Sequence, residues 1–255
     1  MRGAINYDDA TPNEAWNYDA AAGSVIYHNG STYTYPAATA PHPHAPLTAG
    51  TKSYTYDANG NTLTDGTRTF TYDGENRPAT VQNGPTSVQY VYGPDGERVK
   101  KIANGVTTAY FGNEFELSGG TWTKYLGPAK RVAALTTWLH GDHLGTIRLI
   151  TNAAGAQAER ANYSAYGVQS PGLSQSKGYI GEKFDPETGL QYLHARFYNP
   201  AIGRFLTPDT FNPADPGVGT NRYAYSFDDP INGNCSPPFE AQCDGLTRGW
   251  GLDLV

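Results

Sequence analysis

Tyr54-Thr55-Tyr56-Asp57-Ala58-Asn59-Gly60-Asn61 sets the reading of this chain: two aromatics at alternate positions, an aspartate, then a run of turn formers. The phrase returns as Phe70-Thr71-Tyr72-Asp73-Gly74-Glu75-Asn76-Arg77 and, more loosely, as Tyr90-Val91-Tyr92-Gly93-Pro94-Asp95-Gly96-Glu97-Arg98. Alternate aromatics point to one face of a strand. Asp, Asn and Gly turn the chain behind it, the polar side chains by bonding the turn's own backbone. Sixteen residues separate Tyr56 from Tyr72 and twenty separate Tyr72 from Tyr92, so each unit is about one hairpin. A lone hairpin is marginal in water, and the units are expected to stack edge to edge into a continuous sheet. The fold class that follows is all-β, built of stacked antiparallel β-hairpin repeats.

Working outward, degenerate copies precede the clear ones. They are Trp16-Asn17-Tyr18-Asp19 and a hairpin in which Val25 and Tyr27 alternate, Asn29-Gly30 turns, and Tyr33 and Tyr35 alternate on the return. Prolines at 36, 41, 43 and 46 make a loop that also holds His42 and His44. From about Tyr110 the repeats give way to a more individual sequence. Strands are expected at Trp122–Leu126, Trp138–His140 and Ile147–Thr151, with a return from Ala158 to Tyr166 and a last dense block from Tyr179 to Pro238. The expected organisation is hairpin repeats over 1–109 (degenerate to about 50, clearer over 51–101), a second unit over 110–238, and a variable tail over 239–255.

Composition agrees. Tyr (19) and Gly (30) are abundant and Met occurs once, which suits strands and turns and disfavours helix bundles. The net charge of −6 comes without a basic stripe, so nucleic acid is not an expected partner. No segment is apolar enough to span a membrane, and the first residues lack the apolar core of a secretory signal. Cys235 and Cys243 lie too late in the chain to staple its body. No cofactor is implied, and no metal. Asp57, Asn59 and Asn61 alternate like calcium ligands, but Thr62 and Arg68 stand where an EF-hand needs glycine and an acid. His140, Asp142 and His143 lack a further ligand nearby.

Several motifs carry a family resemblance. Tyr54–Asn61 resembles the YD repeat of RHS proteins. His140-Gly141-Asp142-His143-Leu144-Gly145-Thr146-Ile147-Arg148 resembles a segment of the RHS repeat-associated core. Gly181–Asp209, with Phe184-Asp185-Pro186-Glu187-Thr188-Gly189-Leu190 at its start, is similar to the signature that closes that core, and Asn221-Arg222-Tyr223-Ala224-Tyr225 matches the strand after it. The motifs occur in the family's order over most of residues 15–234. The resemblance implies a hollow β-shell that encloses a variable C-terminal region, a toxin in polymorphic toxin systems. It implies a protein that is secreted or at the cell surface by an unidentified route, and a chain that is part of a longer one. Its partners would be its own C-terminal cargo, other shell segments or a secretion apparatus. Cell-surface glycans are a further candidate, through exposed aromatics.

In many members the core also cuts off the C-terminal part, using two aspartates that share a proton. Asp209 stands at the first position, and Arg204 is a candidate for polarising the scissile carbonyl. The second aspartate is expected in a DP-x-G segment after Asp229-Pro230-Ile231-Asn232, where Cys235 and Pro238 replace the aspartate and the glycine. Asp228 and Asp229 could supply a substitute carboxylate. A shell or carrier module is therefore the first expectation. An aspartyl autoprotease and a carbohydrate-binding surface module are the alternatives. For Asp209 itself a purely structural role in a turn is the simplest reading.

Overall fold

A computed structural model describes residues 2–5, 14–19, 24–170, 173–211 and 220–231. Cys235, Cys243, the stretch Gly233–Pro238 and the tail lie outside these residues. Three antiparallel sheets account for the architecture. The first holds β1 (Arg2–Ile5), β2 (Glu14–Tyr18), β3 (Val25–His28), β4 (Ser31–Thr34), β5 (Thr48–Ala49) and β6 (Lys52–Ser53). The second runs through β7 (Thr55–Tyr56), β8 (Thr62–Thr64), β9 (Arg68–Tyr72), β10 (Pro78–Asn83), β11 (Thr86–Tyr92), β12 (Arg98–Ala103) and β13 (Val106–Phe111). It continues through β14 (Phe115–Ser118), β15 (Thr121–Leu126), β16 (Ala129–Val132), β17 (Leu135–Gly141), β18 (Ile147–Asn152) and β19 (Gln157–Arg160). The third holds β20 (Lys183–Asp185), β21 (Leu190–Leu193), β22 (Arg196–Asn199) and β23 (Arg204–Phe205). In all three every strand pairs with its neighbour in sequence.

The repeated phrase has a division of labour. Its first aromatic enters the core: Tyr33, Tyr54, Phe70 and Tyr90 are all buried. Its second, always tyrosine, is half-buried and spends its hydroxyl on a carbonyl of the preceding segment. Tyr35 donates to Val25 O (2.7 Å), Tyr56 to Pro46 O (2.7 Å), Tyr72 to Thr62 O (2.7 Å) and Tyr92 to Pro78 O (2.6 Å). The first position tolerates phenylalanine where the ring alone is used, as at Phe70, whereas the Tyr90 hydroxyl also donates to Asp185 Oδ2 (3.0 Å). Tyr72→Phe is therefore expected to cost about 1 kcal/mol. Tyr54→Phe should cost nothing or stabilise slightly, because the Tyr54 hydroxyl is buried with no partner among the described residues. Urea midpoints of the two variants check the contrast.

The aspartate organises the turn. Asp57 Oδ1 accepts the amides of Asn59 (2.9 Å) and Asn61 (2.8 Å), while Gly60 N reaches Asp57 O and Asp57 N reaches Asn61 O. Gly60 takes φ +87°, and a Cβ there would stand 2.5 Å from the Tyr223 hydroxyl. Asp73 repeats the arrangement with the amides of Glu75 and Arg77. These carboxylates serve the backbone, which accounts for an alternation that only looks like a calcium loop.

The same turn continues past Tyr110. Asp142 accepts the amides of Leu144 and Thr146, and Asn152 those of Ala154 and Ala156. The aromatic phrase fades there, but the hairpins do not, because the turn needs only one side-chain acceptor and one residue with positive φ. The expected return over Ala158–Tyr166 is shorter than predicted. β19 ends at Arg160, and Ala161, Tyr163, Ala165 and Tyr166 leave the sheet to bury themselves in the core.

The third sheet lies between the other two and is buried on both faces. Leu193, Tyr198 and Phe205 join Trp16, Val25, Tyr33 and Tyr54 of the first segment. Leu190, Tyr192, Phe197 and Leu206 join Phe70, Val81, Val88 and Tyr90 of the second sheet. Successive apolar side chains divide between two clusters, and the polar residues among them, Lys183, Asp185, Gln191, Asn199 and Arg204, are buried as well.

Candidate functional site

Asp185, at the end of β20, is 1% exposed and gathers charge from the wall of the second sheet. Arg98 Nη1 donates to its Oδ2 at 2.6 Å, Lys101 Nζ to its Oδ1 at 3.0 Å, and the Tyr90 hydroxyl to its Oδ2 at 3.0 Å. Burial alone would raise this carboxyl, but the charges of Arg98 and Lys101 outweigh it and hold it below the usual carboxylate range. The Arg98 guanidinium lies over the rings of Tyr192 (4.4 Å) and Tyr110 (4.5 Å). Arg68, ion-paired with Asp65, donates to the Thr188 carbonyl at 2.5 Å, and Lys101 also reaches Glu187 at 2.9 Å. Residues 185–188 are thus clasped by β9, β11 and β12. Sequence reasoning recognised this segment as a family signature and missed its partners, which are 84 to 120 residues away in the chain.

A second clasp sits at the β21–β22 turn. His194 Nδ1 lies 2.8 Å from Glu97 and its Nε2 3.2 Å from Glu182. Burial disfavours the imidazolium, yet the bonds to Glu182 and Glu97 prevail and raise its pKa to about 9. The folded value exceeds the unfolded one, so its stabilisation is complete below about pH 6.5 and disappears as pH rises through about 9. The stability gap between the native chain and His194→Gln is expected to be up to ~3 kcal/mol at pH 7 and to close by pH 10. Urea unfolding across that range reads it.

The predicted site residues fall into two separate arrangements. Asp209 is 3% exposed and borders a cleft of about 340 Å³ that His42, Asn59, Arg196 and Arg222 also line. Arg196 Nη2 is 2.9 Å from Asp209 Oδ2, a charge contact rather than a directed hydrogen bond, and Asp209 Oδ1 accepts the Phe211 amide at 3.0 Å. Arg222 donates through Nε (2.6 Å) and Nη2 to the Asp209 carbonyl. Arg196 also stacks on Phe205 at 3.7 Å.

Arg204 turns elsewhere. It is fully buried and pairs with Asp228, Nη1 to Oδ1 at 2.5 Å, among the tyrosines of the first core cluster. Burial raises the Asp228 carboxyl even against the Arg204 charge. Asp209 and Asp228 are thus each engaged by a different arginine, and Asp229 is exposed. The His140–His143 segment is divided as well. Asp142 caps its turn and meets Arg148 at 3.0 Å, His140 faces Thr151, and His143 faces the Ile231 carbonyl. Among the described residues no three His, Cys, Asp or Glu side chains gather as for a metal ion.

Comparison with known proteins places these features. Residues 134–231 match the family model described as Teneurin YD-shell. The chain is 30% identical over 205 residues to the tRNA3(Ser)-specific nuclease WapA of Bacillus spizizenii, covering 71% of this chain and 9% of that protein. It is 32% identical over 110 residues to the toxin protein Tse5 of Pseudomonas aeruginosa, covering 40% of this chain and 8% of that one. It therefore spans less than a tenth of either relative. Among solved structures, the TcdB2-TccC3-Cdc42 crystal structure superposes with TM-score 0.72 at 18% identity, over 92% of this chain and 13% of that one.

Proposed function

The chain belongs to the RHS/YD-repeat shell proteins, and from that premise we propose that it is a wall and core segment whose work is to enclose a C-terminal cargo. The observation that carries this reading is the clasp at Asp185, which fastens the third sheet to the second through buried charge. A block held in this way closes one side of an enclosure and gives the chain that follows a fixed point of departure. A toxin is the cargo class that the relatives suggest. The proposed division is repeats over 1–109, core over 110–238 and a variable tail over 239–255, although the second sheet runs through residue 110 without a break.

Limited proteolysis of the complete shell protein tests the proposal. Residues beyond 231 should be protected in the native protein and digested in Asp185→Ala. Equal digestion of both would sink the idea. Among the described residues the outer strands β1 and β19 each have one unpaired side, where further shell segments would pair. The 255-residue chain alone is then expected to associate in light scattering. Delivery outside the producing cell, by a dedicated secretion apparatus, fits this reading.

Asp209, in its cleft, supports a second reading in which the core releases the following segment by aspartyl self-cleavage. Intact mass measured over days of incubation decides it. A fragment ending near Cys235 that Asp209→Asn abolishes carries the enzymatic reading, and an unchanged mass removes it.

A further inference from the structure

The face of the second sheet turned away from the core has an unusual composition over β12–β17. Buried Tyr110, Glu116, Tyr125 and Leu139 mark the inner positions, and their alternates form rows across the outer face. One row reads Lys100, Ala109, Leu117, Trp122 through successive cross-strand partners. The next reads Phe111, Phe115, Lys124, Arg131. A third reads Leu126, Ala129, Trp138. Phe111 (52%), Trp122 (42%), Leu126 (53%) and Trp138 (44%) are the largest apolar groups that these rows expose. The Phe111 and Trp122 rings pack together at 5.3 Å.

Charge is segregated across the sheet. The chain carries a net −6, yet these outward rows hold three cations and no carboxylate. Lys100, Lys124 and Arg131 make no ion pair with a described residue, and neither does Arg160 beyond them on β19. Glu116 faces inward and binds Lys183 at 2.8 Å, Glu159 binds Ser174, and the exposed Glu114 lies in the turn between β13 and β14, outside the rows. A face of this size that joins exposed aromatics to unpaired cations marks an interaction surface, and its charge selects an anionic partner.

We propose that this face docks onto the surface of a lipid bilayer containing anionic headgroups. Aromatic and aliphatic side chains would enter the interfacial layer, and Lys124 and Arg131 would meet the headgroup charge. A bilayer fits better than a polysaccharide or a nucleic acid. Besides Lys124 and Arg131, the residues between the rings are Ala and Leu, and the face holds no amide or carboxylate with which to fix hydroxyls or base edges, as a sugar or base site needs. Apolar filling between the rings is what an interfacial contact uses.

Co-sedimentation of the 255-residue chain with vesicles tests this. Binding is expected to phosphatidylcholine vesicles containing phosphatidylglycerol and not to phosphatidylcholine alone, and added salt should weaken it. Lys124→Gln with Arg131→Gln should lower the affinity roughly 25-fold, about fivefold for each charge. Brominated lipid should quench tryptophan emission in the native chain and largely fail to do so in the Trp122→Ala/Trp138→Ala variant. Far-UV circular dichroism of both variants should match the native spectrum, since all four positions are exposed. Absence of vesicle binding, or binding that neither variant weakens, overturns the proposal. So does binding of alginate or single-stranded DNA, with the same variant dependence, in place of vesicles.

Discussion

Asp185→Ala is expected to cost about 3–5 kcal/mol, the range for removing one partner of a buried ion pair. The magnitude comes from what is left behind. Arg98 would stay buried without a counter-charge and cannot shed its proton to escape, while Lys101 would keep only Glu187. Asp185→Asn should recover only part of the loss, because an amide keeps a hydrogen-bond acceptor but no charge. Replacing the charges together, as Asp185→Leu with Arg98→Met and Lys101→Met, should be far milder than the single change, since the ring cage around Arg98 can accept an apolar side chain. Denaturant titration followed by near-ultraviolet circular dichroism, which reports the packed tyrosines, reads all three. A single-variant loss below about 1 kcal/mol would show that the clasp is not what fastens the block.

The second large effect concerns Arg204 and Asp228, and the two halves of that pair should behave differently with pH. Arg204→Met strands a carboxylate that burial already pushes upward, and that carboxylate can neutralise itself by taking a proton. In the variant, the folded-state pKa of Asp228 would lie above its unfolded value, so the penalty grows as pH rises. The expected cost is ~3 kcal/mol at pH 8 and clearly less at pH 5. Asp228→Ala strands a guanidinium instead. With no neutral form within reach, its penalty should stay nearly constant over the same range. Parallel unfolding curves at both pH values test the asymmetry, and identical pH dependence for the two variants would refute it.

Much of the wall could be read before any coordinates. Tyr54, Phe70 and Tyr90 announce their strand face by period-two spacing, and Asp57 and Asp73 announce the turns, because both signals act over a few residues. Legibility failed where partners are distant. Nothing near Asp185 in sequence points to Arg98, and Arg204 lies closer along the chain to Asp209 than to Asp228, which it actually meets. Past Tyr110 it was partial: the strands at Trp122–Leu126, Trp138–His140 and Ile147–Thr151 were legible and fall within β15, β17 and β18, but the tyrosine and the turn part company there. Asp142 and Asn152 still cap hairpins of the same design, without the aromatic that marks the earlier copies. The Asp209 cleft mixes both cases. Its signature was visible, while the hold of Arg196 and Arg222 on it emerges only when β22 and the 221–225 segment come together.

Among the described residues every strand takes as its partner the strand just before or after it. Such a ladder has no crossover to rethread. One hairpin can be duplicated or lost within it, and the flanking strands still find a neighbour of the right direction. Gene-level gain or loss of single hairpins would change the width of the second sheet while leaving the third untouched, a simple route by which, under the proposed enclosing role, one lineage could fit a shell to contents of different size.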